Sequence, residues 1–201
     1  FLISFLGVLL SQFDKAIITS KLPLESFGEY SLMVLFGSAI IVLGYPIGSV
    51  SFPVFSKFMA LGNKEKIIDV FNSYLNLAAV MIFPISGFLF FFIEEFINYY
   101  IKSSVSNHLL EIFPIYLIGA MFASFVPLIN GLILSSDNSR DTFWILLFLS
   151  VLYVPSLFFL INSFGLFGAA IGFLLIQLGI FLSYLIRCIF ILGFRNLLPK
   201  F

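Results

Sequence analysis

The sequence predicts an all-α membrane protein, a bundle of six transmembrane helices, and three observations carry that expectation. Of the 201 residues, 61% are hydrophobic and only 10% are charged, whereas about a quarter of the residues of a soluble domain are charged. A soluble core of this size could not hide so many Phe, Leu and Ile side chains, so lipid has to cover the remainder. The apolar residues gather in stretches of about 20, the length that crosses bilayer hydrocarbon as a helix. These stretches do not alternate apolar with polar residues as barrel strands do, and a non-barrel chain in lipid satisfies its own backbone only as helix.

Short polar clusters divide the spans. The first covers about residues 1–19 and stops at "SKLPLES". The second covers about 29–50, with a continuation to Lys57 left open. The third covers about 70–93, led in by the amphipathic "NKEKIIDVF" with Asn63 placed as an N-cap. The fourth runs from about 109 to 134, the fifth from 142 to 161, and the sixth, after "NSFG", from 166 to 191. The chain opens on Phe rather than Met, and its first apolar run is too long for a signal-peptide core. We therefore expect an excerpt, one lobe over 1–201, whose N-terminal portion is missing.

Charge bias predicts the orientation. Lys57, Lys64, Lys66, Arg140, Arg187, Arg195 and Lys200 fall on one side, Lys21 and Lys102 on the other. The richer side, which holds the C-terminus, should be cytoplasmic. Net charge is zero, which gives no sign of a nucleic-acid partner, and the lone Cys188 excludes a disulfide framework or a cysteine metal site.

The first span carries the polar residues of greatest interest. Ser4, Ser11, Lys15 and Thr19 are spaced 7, 4 and 4 and share one helical face, which Gln12 flanks. Asp14 lies about 100° round the helix from Lys15. A charge at mid-bilayer costs about 3 kcal/mol on insertion scales and normally faces a bundle interior or a water-filled cavity. Two readings of Lys15 stand: it snorkels to the outer headgroups, or it faces a hydrated lumen. The hydroxyl stripe reaching inward to Ser4 favours the lumen, so Ser4, Ser11, Gln12, Asp14, Lys15 and Thr19 are the candidate cavity residues.

Elsewhere the second span carries "GYPIGSVSFP", in which Gly44 and Gly48 form a GxxxG pair among Pro46 and Pro53. Gly168, Gly172 and Gly179 put small residues on one side of the sixth span. Close helix packing explains each glycine, while helices broken repeatedly by proline also mark transporters that alternate between two access states. Asn130 and Gln177 read as interhelical hydrogen bonds, Asn72 and Asn76 as an interfacial helix start, and Arg140 and His108 as solvated loop residues. Glu94 and Glu95 mark where the third span leaves the membrane. No pair of histidines or cysteines, no phosphate loop and no nucleophile elbow is present, so enzymatic function gets little support and neither metal nor cofactor is implied.

The order "SQFDKAIITSKLPLESFGEYSL", "YPIGSVSFPVFSKFMALGNKEKI", "NGLILSSDNSR" and "FGLFGAAIGFLLIQ" resembles the C-terminal half of oligosaccharide flippases. These are the O-antigen and polysaccharide exporters of the multidrug/oligosaccharidyl-lipid/polysaccharide superfamily. Asp14, Lys15, Gly28, Tyr30, Pro46 and Pro53 fall on the motif positions. The resemblance implies one lobe of a two-lobed, twelve-helix exporter in the bacterial inner membrane. It implies transport of an undecaprenyl-diphosphate-linked sugar unit from the cytoplasmic to the periplasmic leaflet by alternating access, in lipopolysaccharide or other surface polysaccharide biosynthesis. The implied partners are that lipid-linked oligosaccharide, membrane lipid, and the polysaccharide polymerase and chain-length proteins. A cation-coupled multidrug exporter of the same architecture and a membrane enzyme of polysaccharide assembly are the alternatives.

Overall fold

The computed structural model describes residues 2–101, 107–136 and 139–193, with backbone only at 2–6, 8–11, 100, 101, 107 and 108. It is helical throughout the described residues: α1 (Leu2–Lys21), α2 (Leu24–Ala60), α3 (Lys64–Ile101), α4 (Asn107–Ser135) and α5 (Ser139–Leu192). Four of these, α2 to α5, are long and apolar enough to cross a membrane.

The helices outrun the expected spans because polar and interfacial flanks stay helical. α2, with 37 residues, is about 55 Å long, well beyond the about 30 Å of bilayer hydrocarbon. α3 begins at Lys64 rather than near 70 and continues past Glu94 and Glu95 to Ile101, so those acids lie within the helix instead of at its end. The expected interruptions by proline are also absent. Pro46 and Pro53 in α2, Pro84 in α3, Pro114 and Pro127 in α4, and Pro155 in α5 all sit inside continuous helix. In hydrocarbon nothing competes for the backbone groups around each ring, so one lost bond does not end a helix whose neighbours hold it.

Two junctions are made by glycine. After α2, Gly62 takes φ 65°, its N–H donates to Met59 O and the Asn63 N–H donates to Phe58 O, the pairing that closes a helix C-terminus around a left-handed residue. Asn63 then turns its side chain to the next helix, accepting the Lys66 N–H at 3.1 Å, so one three-residue turn ends α2 and caps α3.

The second junction is Gly165, at φ 59° and ψ −133° inside α5. The expected loop "NSFG" shrinks to this one residue, since 162–164 remain helical. Its two arms, 139–164 and 166–192, fold back on each other: Gly168 faces Leu160, Gly172 faces Leu157 and Tyr153, Gly179 faces Leu149, and Arg187 meets Asp141. A reversal this sharp needs a backbone conformation that L side chains resist.

α4 is the central helix, the most buried of the long helices, and packs mainly on α2 and α5. The α2–α4 contact is close because glycines line it. A Cβ at Gly44 would stand 1.9 Å from Ser124 O, and one at Gly48 would stand 2.8 Å from the Pro127 backbone. α3 is peripheral: it buries a single stripe (Ile67, Phe71, Ala78, Ile82, Ser86, Leu89, Ile93, Ile97) and leaves Phe88, Phe90, Phe91 and Phe92 exposed on a face only hydrocarbon can cover. α1 rests on α5 and barely touches α2.

Candidate functional site

Among the described residues, α1, α2, α4 and both arms of α5 line a half-open cavity of about 1010 Å³, and α3 takes no part in its wall. α1 contributes Gly7, Gln12, Asp14 and Lys15; α2 contributes a stripe at Val34, Ser38, Ile41, Tyr45, Ser49 and Phe52. That spacing of three and four residues is one face of a helix, so α2 gives its glycine side to α4 and this side to the cavity. α4 adds residues from Tyr116 down to Leu134, about 27 Å of helix. α5 adds Leu146 and Tyr153 from the first arm and Phe173, Gln177, Ile180 and Tyr184 from the second.

One end of the cavity is floored by a continuous aromatic layer hung on Asp14. The Asp14 carboxylate, 5% exposed, accepts a short hydrogen bond from the fully buried Tyr30 hydroxyl and the Lys15 backbone N–H at 2.7 Å. Tyr30 meets Tyr116 edge-on, with centroids 5.9 Å apart and planes at 88°. Tyr116 stacks on Phe173 at 4.1 Å and 9°. Room for that stack comes from two glycines: a Cβ on Gly37 would be 2.5 Å from the Tyr116 ring, and one on Gly119 would be 2.8 Å from the Phe173 ring. The layer thus passes from α1 through α2 and α4 to α5. α1 and α2 otherwise come close at few places, and the Asp14–Tyr30 hydrogen bond ties them together.

Lys15 is half-buried and lines the cavity, its ammonium donating to Gln12 Oε1 at 3.4 Å. The polar stripe read from α1 is only partly gathered here. Gln12, Asp14 and Lys15 line the cavity, whereas Thr19 is exposed and donates to the carbonyls of Lys15 at 2.9 Å and Ala16 at 3.0 Å. Thr19 has the right angle but the wrong depth: it lies one turn beyond the Asp14 layer, on the far side of the aromatic floor. The side chains of Ser4 and Ser11 lie outside the described residues, as does that of His108.

Toward the opposite end the wall turns polar but stays uncharged. Thr142 Oγ1 donates to Asn130 Oδ1 at 3.3 Å, which joins α4 to the first arm of α5. Asn130 thus makes the interhelical hydrogen bond expected of it, and Asn130, Gln177 and Tyr184 all line the cavity as well. Beyond them, Arg187 closes the α5 hairpin on Asp141, with Nη2 2.5 Å and Nε 2.6 Å from Oδ2. Arg140, adjacent in sequence, is exposed. The packing residues sit apart from the cavity chemistry: Gly44 against α4, Gly168 and Gly172 against the first arm of α5, and Pro46 and Pro53 on the exposed side of α2, with Gly48 alone also lining the cavity. Among the described residues no three His, Cys, Asp or Glu side chains gather as a metal site would require.

Apart from Tyr30, which falls on a motif position of the family resemblance, the cavity tyrosines are absent from the candidate residues of the sequence. The chain carries 29 Phe and 8 Tyr, and in such a background a mid-span tyrosine is itself a signal, because a hydroxyl in hydrocarbon needs a partner. Tyr30, Tyr116, Tyr153 and Tyr184 are all buried and all belong to the cavity wall or its floor.

Comparison with known proteins agrees with this architecture. The profile of the family described as "Polysaccharide biosynthesis protein" matches residues 1–106. A search of curated proteins finds no significant match. Among solved structures, the inward-facing conformation of a multidrug resistance MATE family transporter of the MOP superfamily is similar, with TM-score 0.74 and 20% identity over 94% of this chain and 45% of that one. The outward-facing conformation of a multidrug resistance MATE family transporter of the MOP superfamily is similar too, with TM-score 0.73 and 18% identity over 96% of this chain and 43% of that one. The chain spans less than half the length of the transporters whose fold it shares.

Proposed function

We propose, from the premise that this chain belongs to the polysaccharide biosynthesis protein family, that it is one lobe of an exporter that flips lipid-linked oligosaccharides. Counting α1 and the two arms of α5 separately makes the lobe a six-span bundle, and a second lobe would complete a two-lobed exporter. The substrate is an undecaprenyl-diphosphate-linked sugar unit of an O-antigen or similar surface polysaccharide, carried from the cytoplasmic to the periplasmic leaflet by alternating access. The observation that carries this reading is the cavity: it is large, its mostly apolar wall carries hydroxyls, amides and aromatic rings, and the one lysine among its described lining residues, Lys15, stands near its floor. An ammonium there suits a diphosphate through charge-assisted hydrogen bonds, while the lipid tail stays in the bilayer.

The same reading places the Lys57–Lys66 turn and the C-terminus in the cytoplasm of a bacterial inner membrane, with polymerase and chain-length proteins as partners on the other side. Surface polysaccharide in a strain deleted for the native gene tests the function: the full-length protein should restore it, and failure at normal membrane levels refutes the reading. Cysteines at Asn63 and Ser139 test the orientation. In a variant lacking Cys188 they should react only from the cytoplasmic side, and labelling by an impermeant external reagent in intact cells would overturn it.

A second reading, a cation-coupled multidrug exporter, is favoured by one observation, the buried Asp14 beside the cavity, together with the fold it shares with multidrug transporters. It requires that expression lower drug accumulation in cells, with loss in Asp14→Asn and no effect on surface polysaccharide.

A further inference from the structure

We infer that Tyr45 and Phe52 of α2 form the stacking surface for the sugar rings of the substrate, a specificity site that rests on the flippase reading. The two are seven residues apart on one helix, about 20° apart round its axis and about 10 Å along it. Both line the cavity, and neither ring is packed away, Tyr45 having 60% and Phe52 42% of its surface exposed. Elsewhere in the wall the aromatic rings are packed: Tyr116, Tyr153, Phe173 and Tyr184 are buried. Two open rings in a cavity that also holds Lys15, Gln177 and Asn130 leave unfilled stacking faces close to polar groups, surface that a bound ligand would cover.

The chemistry of the surrounding wall selects the ligand. The charged groups of the lining, Asp14 and Lys15, stand together at the floor, so the body of the cavity beside Tyr45 and Phe52 is uncharged. It presents the Asn130 amide from α4, the helix packed on α2, and the Gln177 amide from the second arm of α5. Asn130 uses its oxygen on Thr142, which leaves its amide donors for a ligand, and among the described residues no protein group takes the Gln177 amide or the Tyr45 hydroxyl. Aromatic faces opposite amides, without charge, fit a pyranose ring: its C–H face meets the negative face of the aromatic ring, and its hydroxyl edge meets groups that both donate and accept. A nucleotide would call for more cations along this wall, and a lipid tail would leave the amides without hydrogen bonds.

The test uses the full-length protein in nanodiscs and two probes, the polyprenyl-diphosphate-linked oligosaccharide and the polyprenyl diphosphate without sugar. Tyr45→Leu and Phe52→Leu keep an apolar side chain and so keep any cover for lipid or protein, but remove the ring. Each should weaken binding of the sugar-bearing lipid about threefold to tenfold, the worth of one lost stacking contact. Binding of the bare diphosphate should not change, Tyr45→Phe should retain most of the sugar binding, and Lys15→Ala should weaken both lipids alike. Unchanged sugar-lipid affinity in both leucine variants overturns the stacking surface, as does a parallel loss of both lipids or a parent that binds both equally. A parent that binds neither lipid overturns the flippase reading itself.

Discussion

Gly44→Ala adds one methyl group to the contact that holds the two most closely packed helices together. The new Cβ would lie 1.9 Å from Ser124 O, 2.8 Å from Ser124 C and 3.2 Å from Ser124 Cα, against 3.4 Å for an ordinary contact. All three are backbone atoms, so no side chain can swing aside. α2 and α4 must part locally by about 1.5 Å, which loosens Gly48 against Pro127 four residues further along and Gly37 against the Tyr116 ring on the other side. Overpacking of this kind costs about 1–3 kcal/mol, and the rigid partner puts Gly44→Ala at the upper end. For a lobe of this size unfolding as a unit that is a fall in melting temperature of about 6–12 °C, and about half of that where two such lobes unfold together. Thermal unfolding of the full-length protein in detergent, followed by size exclusion with fluorescence detection, reads it directly. Gly28→Ala is the control, since nothing lies within 4 Å of its Cβ and it should melt with the parent or slightly above it, alanine being the better helix former. If Gly44→Ala also melts with the parent, the close approach of α2 to α4 is wrong and with it the cavity that approach shapes.

Three further outcomes are expected. Tyr30→Phe strips the buried Asp14 carboxylate of its hydroxyl donor, costs about 1–3 kcal/mol, and should lower both protein level and export; stability equal to the parent would show that Asp14 does not depend on Tyr30. Lys15→Ala should abolish most surface polysaccharide at near-normal membrane levels, with Lys15→Arg keeping part of it; full export by Lys15→Ala would return Lys15 to a residue that merely snorkels. Gly165→Ala meets no atom but forces a side chain onto φ 59° and ψ −133°, at about 1–3 kcal/mol. A melting temperature equal to the parent's would mean that the α5 reversal does not depend on that backbone conformation.

Sequence alone dictates the helical membrane architecture, because composition and span length leave lipid-embedded helix as the physical solution. It determined the cap at Asn63 and the angular position of Lys15 for the same reason: both depend on residues within a turn or two along the chain. Depth and partnership belong to the tertiary structure. Helical phase places Thr19 and Lys15 on one face, but only the layer from Asp14 through Tyr30 and Tyr116 to Phe173 decides that Lys15 is inside the cavity and Thr19 beyond it. Likewise, "NSFG" suggested a loop between two spans, whereas one residue, Gly165, suffices, because a glycine can take a conformation that reverses the chain at once. Tyr30 lies sixteen residues from Asp14, and Arg187 forty-six from Asp141. No local rule pairs residues so far apart: burying the Asp14 carboxylate and the Tyr30 phenol requires that each find a partner, and the half-exposed Arg187 and Asp141 meet because the two arms of α5 fold back on each other.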